Sequence, residues 1–174
     1  MTRSSKLRRM LEADLSLVLA WRNHSDVRRW MFTSHEIGID EHERWFHAIV
    51  SDPARHPLIF EMDGSPQGFV QIGPVAAGGN AAWGFYLAPD APKGCGRSLG
   101  EATLAYAFDD LGLHKLSGEV LAFNEASLKF HRHLGFREEG LMVEQHFGDG
   151  RYHDVVRFGL LAAQWRDHRA GKNA

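Results

Sequence analysis

Apolar residues recur at three- and four-residue spacing in several stretches of the chain, and this spacing predicts amphipathic helices. The clearest stripe follows positions i, i+3, i+4 and i+7 and consists of Leu104, Ala107, Phe108 and Leu111. A stripe of this kind turns one face of a helix towards a core. The predicted helices cover residues 12–23, 25–31, 40–52 and 125–134, with a further helix that ends at about Leu111.

Shorter apolar or alternating stretches predict strands. They cover residues 6–11, 57–62, 67–75, 81–87, 115–122, 136–145 and 152–160. The turn residues of segment 63–66, Asp-Gly-Ser-Pro, predict a hairpin between the second and third strands. The resulting order is mixed α/β, with a strand–helix–strand unit in the middle, and 174 residues form one domain by length.

Helix ends carry their own sequence signals. Asp40 with Glu43 is an acidic variant of a capping box and predicts a helix start. Asn124 predicts an N-cap, and Gly135 is the glycine that commonly follows a helix. The polar tail, residues 169–174, is expected to be frayed.

Composition and charge mainly exclude classes of protein. The formal net charge is −2 and the isoelectric point is about 6.6, so the chain lacks the basic surplus that nucleic acid or an anionic membrane attracts. The apolar runs are too short for a membrane span, and the N-terminus lacks the apolar core of a signal peptide. A single cysteine, Cys95, excludes an internal disulfide framework. We therefore expect a cytoplasmic protein.

A glycine-rich loop lies between the predicted strand 81–87 and the following helix. Residues 91–100 read Ala-Pro-Lys-Gly-Cys-Gly-Arg-Ser-Leu-Gly. Glycine at 94 and 96 lets the backbone approach a ligand, and the free N–H groups of a helix start favour an anion. The pattern is neither a P-loop nor a Rossmann turn. It predicts a phosphate or pyrophosphate cradle, with a plain strand–helix turn as the alternative.

Two segments in this order resemble the GNAT family of N-acetyltransferases along nearly the whole chain. The first is the glycine-rich loop, and the second is Asn-Glu-Ala-Ser at 124–127 followed by Leu-Gly-Phe at 134–136. The resemblance implies the GNAT fold, a central and mostly antiparallel sheet with helices on both faces. In this fold the sheet splays between two parallel strands, here 81–87 and 115–122. It also implies acetyl-CoA as cosubstrate, without a metal.

The resemblance further implies where coenzyme A binds. The loop amides would hold its pyrophosphate, and the pantetheine arm would run between the two parallel strands. The implied cofactor-binding residues are Leu87, Lys93, Gly94, Gly96, Arg97, Ser98, Asn124 and Ser127. The family usually has Arg or Gln at the position of Ala91, so Lys93 and Arg97 would restore the positive charge, unless they are solvated loop cations. Asn124 would contact the pantetheine arm, cap the helix, or do both.

His131 departs from the family pattern. Seven residues after Asn124 the family commonly has a tyrosine whose hydroxyl protonates the leaving thiolate. An imidazole can take this catalytic role as imidazolium or as N–H donor. The alternative is a half-buried helix histidine without a chemical role. His133 lies about 200° around the helix from His131, so the two cannot chelate one metal ion.

The implied chemistry is a direct attack of an amine on the thioester. A backbone N–H exposed by a bulge in the strand 83–87 would stabilise the oxyanion. Tyr86 on this strand is a second catalytic candidate, with a packed strand tyrosine as the alternative. No residue stands out as the proton acceptor. Cys95 is predicted to be remote from the thioester, so we expect no acyl-cysteine.

The acceptor is predicted to bind in the N-terminal part, residues 1–56, ahead of an acetyl-CoA core, 57–135, and a C-terminal hairpin, 136–165. Segment 21–46 has a high density of aromatic and cationic residues, and in this it resembles the pseudaminic-acid-pathway acetyltransferases. RimJ/RimL-type enzymes are near relatives of that group. Those enzymes acetylate the 4-amino group of a UDP-linked 2-acetamido-4-amino-dideoxyhexose. The resemblance implies a UDP-amino-sugar substrate, with Arg22 on its diphosphate and His42 and Tyr86 on its nucleotide or sugar.

Purely structural roles for these residues, and other functions for the protein, remain as alternatives to a UDP-amino-sugar acetyltransferase. Core packing between helices is the favoured explanation of Trp21, Trp30 and Trp45, and a solvated helix face is an alternative for Arg22 and His42. The alternative acceptors are a protein N-terminus, as in ribosomal-protein acetyltransferases, an aminoglycoside or toxin, or another small amine. The chain could also be a non-catalytic acyl-CoA-binding module, and a homodimer is possible.

Overall fold

The computed structural model describes residues 4–172, and within this range helices and strands alternate along the chain. The strands are β1 Ser5–Arg9, β2 His56–Met62, β3 Ser65–Ile72, β4 Asn80–Leu87, β5 Lys115–Leu121, β6 Arg137–Gly148 and β7 Arg151–Leu161. The α-helices are α1 Leu15–Asn23, α2 Ser25–Arg28, α3 Ile39–Val50, α4 Cys95–Ala105, α5 Glu125–His133 and α6 Ala162–Lys172. None of these helices combines the length and apolar character that crossing a membrane requires.

The strands form one sheet in the order β1-β2-β3-β4-β5-β7-β6. Every neighbouring pair is antiparallel except β4 and β5, which are parallel. The parallel ladder is short, because it joins only residues 80–82 of β4 to residues 115–117 of β5. Beyond Ala82 and Ser117 the two strands separate. The predicted splay between these strands is confirmed.

Helices cover both faces of the sheet because side chains alternate along each strand. On β2, Leu58 and Phe60 face the larger core, which includes Leu99 and Leu104 of α4. The intervening Ile59 faces a second core with residues of α1 and α3. The predicted mixed α/β architecture with helices on both faces is therefore confirmed.

The hairpin between β2 and β3 follows from its turn residues. Asp63 and Gly64 both have positive φ, 52° and 80°, as a two-residue hairpin turn of the primed type requires. The predicted turn lies in the right place. Its strand resumes at Ser65, two residues earlier than the pattern predicted, because the turn needs only two residues.

Two predicted helix ends are wrong. Helix α3 begins at Ile39 after an extended Gly38, and no side chain caps it, so the capping box predicted at Asp40 is absent. Asp40 instead lies in the first turn, where its charge meets the positive end of the helix dipole. The tail prediction is wrong for residues 169–172, which belong to α6. Trp165 anchors this polar helix by stacking on Phe108, with ring centroids 5.3 Å apart.

A buried ionic cluster joins β1, β2 and the segment before α1. Arg8 donates to both carboxylate oxygens of Asp14, at 2.7 Å and 2.8 Å, and its Nε donates to Glu61 at 2.6 Å. Asp14 and Glu61 are each 7% exposed. The Asp14 carboxylate also accepts the Leu11 backbone N–H at 2.8 Å, which closes the 3-10 turn that splits the predicted first helix.

Candidate active site

Two cavities meet along strand β4. The β4–β5 cavity, about 680 Å³, occupies the gap where the parallel strands separate. The α1–α3 cavity, about 500 Å³, lies between β4 and residues of α1, α3 and the segment that joins α2 to α3. Residues 82–86 of β4 line both cavities. A group bound in one cavity can therefore reach a group bound in the other along this stretch of β4.

The β4–β5 cavity brings together residues that are far apart in sequence. Its walls are residues 82–88 around β4 and 117–121 of β5, and the beginnings of α4 and α5 border it. Four of the predicted cofactor-binding residues line this cavity: Leu87, Gly96, Asn124 and Ser127. Asn124 also caps α5, because its Oδ1 accepts the Ser127 backbone N–H at 3.1 Å.

The glycine loop closes onto the start of α4. Gly94 is the N-cap of α4 and has φ +93°, a left-handed conformation that favours glycine. The first turn of α4, whose N–H groups are only partly used within a helix, therefore begins directly after a residue without a side chain. Lys93 and Arg97 are both exposed to solvent in this structure. Arg97 also donates a hydrogen bond to Glu101 at 3.0 Å. The loop can hold a pyrophosphate on backbone amides, with these two cations free to turn towards it.

Valine at Gly94 or Gly96 should weaken acetyl-CoA binding at least tenfold, about 1.4 kcal/mol. At Gly94 the cause is the backbone, because φ +93° disfavours a branched residue while no atom lies within 4 Å of an added Cβ. At Gly96 the cause is lost space, since this residue lines the cavity. Calorimetric titration of acetyl-CoA measures the change.

Gly78→Val is the matched control for backbone strain. Gly78 has φ +88° and nothing within 4 Å of an added Cβ, like Gly94, but it lies in the turn before β4, outside both cavities. The control should lose stability and keep its affinity for acetyl-CoA. Equal affinities in Gly94→Val, Gly96→Val and the parent protein would remove the loop from the binding site.

His131 is buried in an aromatic environment on α5. It is 3% exposed and stacks on Phe158 with ring centroids 4.9 Å apart. Its Nδ1 lies 2.8 Å from the backbone oxygen of Ser127. A carbonyl only accepts, so Nδ1 carries the proton and Nε2 of the neutral ring carries a lone pair. Burial lowers the pKa of His131 to about 4, so the ring is neutral at pH 7.

This geometry bears directly on the predicted role of His131. A proton donor to the thiolate needs either an imidazolium or an N–H on the outward nitrogen. The resting ring has neither, because its one proton is bonded to the Ser127 carbonyl. The donor role stays a prediction, and it would require the ring to give up this hydrogen bond.

Trp83 and Gly118 are site residues that the sequence reasoning missed. The indole Nε1 of Trp83 is buried and has no hydrogen-bond partner among residues 4–172. A Cβ added to Gly118 would lie 2.8 Å from this nitrogen and 2.9 Å from Nε2 of His131. Both nitrogens therefore converge over Gly118, in the wall of the β4–β5 cavity. A glycine inside a buried strand is the signal that could have drawn attention to this close approach.

Strand β4 carries Tyr86 and exposes backbone groups without a bulge. The register between β3 and β4 is unbroken from Trp83 to Leu87, so the predicted bulge is absent. Residues 83–87 have no ladder partner on the β5 side, and the splay itself leaves this backbone edge open. Tyr86 packs against Phe69 with tilted rings whose centroids are 5.3 Å apart, and it lines both cavities. Burial raises the pKa of Tyr86, so the phenol stays neutral.

The α1–α3 cavity contains a guanidinium with an unused donor. Arg22 donates through Nη2 to the Thr33 carbonyl at 2.8 Å, while its Nη1 is buried without a partner in the part of the chain that the structure describes. Burial lowers the pKa of Arg22, although an arginine remains charged. Glu41, the carboxylate that lines this cavity, lies 3.0 Å from Nε2 of His35. The cavity therefore contains one guanidinium with an unpaired donor and one carboxylate that already has a hydrogen-bond partner.

His42 lines the same cavity as a neutral ring. Its Nε2 donates to the Leu15 carbonyl at 3.1 Å, and it stacks on Trp45 at 5.0 Å. Burial lowers the pKa of His42 below its usual value, so this ring stays uncharged at neutral pH. The structure thus brings the predicted substrate-binding residues Arg22, His42 and Tyr86 together in one cavity.

The three N-terminal tryptophans do not share one environment. Trp21 is 7% exposed and packs in the core, as predicted. Trp45 is half-buried and packs against the same core, so the core interpretation holds for it too, although it also lines the α1–α3 cavity. Trp30 is half-buried and lines the β4–β5 cavity, so the core interpretation is wrong for Trp30. Among residues 4–172 the structure contains no group of three or more His, Cys, Asp or Glu side chains that could hold a metal ion.

A splayed sheet, a glycine turn at a helix start and paired cavities along one strand are the features of an acyl-CoA-dependent transferase. The chain belongs to the acetyltransferase (GNAT) domain family, whose sequence profile matches residues 6–137. It is an acetyl-CoA-dependent N-acetyltransferase, and acetyl-CoA is its cosubstrate.

Several acetyltransferases are similar to this chain over most of its length. A spermidine N(1)-acetyltransferase of Vibrio cholerae is 28% identical over 163 residues, covering 91% of this chain and 94% of the relative. The acetyltransferase PseH of Campylobacter jejuni is 28% identical over 123 residues, covering 71% of this chain and 76% of the relative. The crystal structure of spermidine N-acetyltransferase from Vibrio cholerae with CoA and spermine superposes with a TM-score of 0.87 at 27% identity, covering 93% and 98% of the two chains.

Proposed function

We propose that acetyl-CoA lies in the β4–β5 cavity and that a small primary amine enters the α1–α3 cavity. The observation that carries this proposal is that residues 82–86 of β4 line both cavities. The amine attacks the thioester carbonyl, a C–N bond forms, the C–S bond breaks, and one amine proton ends on sulfur. The open edge of β4 supplies backbone N–H groups for the developing oxyanion.

A small molecule suits the α1–α3 cavity better than a protein terminus. Its volume of about 500 Å³ falls within the usual range of small-ligand pockets, about 300–1,000 Å³. An extended peptide would instead need an open groove. The acceptor is therefore a small amine.

The unpartnered Nη1 of Arg22 favours an acceptor with an oxyanion. A guanidinium binds phosphate and carboxylate oxygens through its forked donors, and a buried donor without a partner is costly. The UDP-linked 4-amino-sugar fits this requirement, because its diphosphate would meet Arg22. The resemblance of segment 21–46 to the pseudaminic-acid-pathway acetyltransferases is in line with the same class.

Spermidine is the second candidate, and the relatives that act on it cover more of the chain. A polyamine needs several carboxylates, since each of its ammonium groups must be compensated when it is buried. In the α1–α3 cavity Glu41 is already engaged by His35, and Arg22 repels a cation. The unpartnered donor of Arg22 thus favours an oxyanion-bearing amine, whereas the similarity to the spermidine acetyltransferases favours spermidine.

An acceptor panel tests the proposal. Transfer from labelled acetyl-CoA should be measured with a UDP-linked 4-amino-sugar, spermidine, an aminoglycoside and an N-terminal peptide. We expect the highest kcat/KM for the UDP-amino-sugar. A higher kcat/KM for spermidine would transfer the assignment to polyamines, and one for the peptide would overturn the small-molecule assignment.

Arg22→Met should separate the two candidates by the sign of its effect. For an oxyanion-bearing acceptor we expect KM to rise tenfold or more, because a charge-assisted hydrogen bond of about 1.5–3 kcal/mol is lost. For spermidine, KM should fall, because a repelling charge is removed. The affinity for acetyl-CoA should stay within twofold in both cases, since Arg22 does not line the β4–β5 cavity.

Asn23→Ala is the matched control for this variant. Arg22 also holds the segment between α2 and α3 through the Thr33 carbonyl, and Asn23 holds the same segment through both backbone groups of Ile37, at 2.8 Å each. Asn23 does not line the α1–α3 cavity. An equal rise of KM in Asn23→Ala would mean that the segment, and not the charge of Arg22, determines acceptor binding.

The remaining sequence predictions stay predictions. They are the division into an acceptor part, an acetyl-CoA core and a C-terminal hairpin, the cytoplasmic location, and the possible homodimer. The roles of individual residues in acetyl-CoA binding are tested by the Gly94→Val and Gly96→Val variants and by variants of Trp83, Gly118 and His131.

A further inference from the structure

The indole of Trp83 presents a hydrogen-bond donor that the folded protein leaves unused. Trp83 is 7% exposed, and its Nε1 is buried without a hydrogen-bond partner among the described residues. A buried donor left unsatisfied costs about 1–3 kcal/mol, and most buried polar groups in native proteins are paired. The ring itself is well packed, since it lies parallel to Phe136 with centroids 5.5 Å apart. The unused N–H is therefore a fixed feature of a tightly held side chain.

The position of Trp83 connects this donor with the cavity. The last parallel pair joins Ala82 to Ser117, so Trp83 is the first residue of β4 beyond the ladder. It stands where the gap between β4 and β5 begins, and it lines the β4–β5 cavity. A ligand that enters this gap between the strands reaches its inner end beside Trp83.

An acceptor faces the donor across Gly118. The Nε2 of His131 carries a lone pair, because Nδ1 donates to the Ser127 carbonyl. Both Nε2 and the Trp83 Nε1 lie within 3 Å of the Cβ position that Gly118 leaves vacant, at 2.9 Å and 2.8 Å. One N–H donor and one nitrogen acceptor at the same place suit a group that both accepts and donates. A thiol is such a group, whereas a thioether or an acyl chain is not.

We propose that Trp83 donates a hydrogen bond to the sulfur of coenzyme A and that His131 accepts one from the thiol. The inference rests on the proposed location of acetyl-CoA in the β4–β5 cavity. As the C–S bond breaks, the indole N–H stabilises the thiolate without giving up its proton. The thiolate takes the proton released by the acetylated amine, directly or through water, and the new S–H then donates to Nε2 of His131. Trp83 thus supplies the hydrogen bond that the sequence reasoning assigned to His131.

Proton NMR of the indole groups tests this contact without using activity. The chain has five tryptophans, and the Nε1–H signal of Trp83 is assigned as the one that disappears in Trp83→Phe. If that variant does not fold, assignment by elimination uses Phe variants of Trp21, Trp30, Trp45 and Trp165. The probes are CoA and desulfo-CoA, which lacks the sulfur and is otherwise the same molecule.

We expect CoA to shift the Nε1–H resonance of Trp83 downfield and desulfo-CoA to leave it nearly unchanged. Calorimetry should show that both probes bind. Equal shifts with the two probes, or no shift with either despite binding, would overturn the contact with sulfur. If calorimetry shows that neither probe binds, the proposed acetyl-CoA site fails and the inference fails with it. Binding of both probes with no competition by acetyl-CoA would overturn them together.

Single-turnover kinetics supply a second measurement. Trp83→Phe keeps an aromatic ring and removes the N–H, so the acetyl-transfer rate should fall about tenfold or more, the loss of one hydrogen bond to a charged group. His131→Phe should slow transfer less than Trp83→Phe, because the inference gives His131 no donated proton. A Trp83→Phe rate within twofold of the parent, or a much larger loss in His131→Phe, would return the donor role to His131.

Discussion

Gly118→Val is expected to reduce the affinity for acetyl-CoA at least a hundredfold, about 2.7 kcal/mol. Even a single Cβ atom at this position would lie only 2.8 Å from Nε1 of Trp83 and 2.9 Å from Nε2 of His131, which is too close. Moving either ring costs packing energy, since Trp83 is only 7% exposed and His131 only 3% exposed. A branched side chain must therefore displace both rings or point into the cavity, and both responses close the inner end of the gap between β4 and β5.

Calorimetric titration of acetyl-CoA and thermal unfolding should be measured together. Overpacking costs about 1–3 kcal/mol of stability, so the variant should remain folded with a lower Tm. Gly118→Ala should show the same change at smaller size. Gly140→Val on β6 is the matched control, because nothing lies within 4 Å of an added Cβ there, and it should bind normally. A folded Gly118→Val with normal affinity would contradict the placement of the cosubstrate.

Arg8→Met is expected to lower the free energy of unfolding by about 3 kcal/mol, the lower end of what breaking a buried ion pair costs. The variant leaves the carboxylates of Asp14 and Glu61 without their shared guanidinium, and each of these residues is only 7% exposed. Urea unfolding at pH 7 measures the loss. Acetyl-CoA affinity should be unchanged in the folded variant, because Arg8 lines neither cavity.

Lys6→Met is the control for the charge alone. Lys6 also pairs with Glu61, at 3.1 Å, but its side chain is 64% exposed, and such surface pairs contribute about 0–1 kcal/mol. Its loss should be small. Equal losses in Lys6→Met and Arg8→Met would show that burial adds nothing to the cluster.

The same cluster predicts the acid sensitivity of the fold. Hydrogen bonds from Arg8 lower the pKa values of Asp14 and Glu61 in the folded protein. A carboxylate with a depressed pKa stabilises the fold fully above its unfolded pKa, about 4, and this contribution is lost as the pH falls through the folded value. The difference in stability between the parent protein and Arg8→Met should therefore shrink between pH 6 and pH 3. A constant difference over this range would contradict the assignment.

Local patterns in the sequence carried most of the fold. The stripe from Leu104 to Leu111 and the alternation along the strands are set by helix and strand periodicity, which a side chain obeys wherever the element lies. Turn and cap residues such as Gly64 and Asn124 act within a few residues of themselves, and the structure bears out both predictions. Helix α6 was missed because a single buried tryptophan, Trp165, holds an otherwise polar helix.

The family was also accessible from the sequence. The glycine-rich loop and the segment that begins at Asn124 are short motifs whose backbone chemistry is local, and together they indicated an acetyl-CoA-dependent N-acetyltransferase. The acceptor was less accessible, since its cavity combines α1, α3 and β4. The sequence could name Arg22 as a cation there, but only the fold shows that its Nη1 is buried without a partner.

The chemistry of His131 was decided by tertiary structure. The sequence identified the residue as the place where the chain departs from its family, and it predicted a proton donor. The proton state of an imidazole depends on burial and on its hydrogen-bond partners, and these come from Ser127 on the same helix and from aromatic rings on the two strands β4 and β7. Trp83, Gly118 and His131 are separated by 35 and 13 positions along the chain, counted from their numbers. Their convergence over one vacant Cβ position is a property of packing between β4, β5 and α5, which no local pattern encodes.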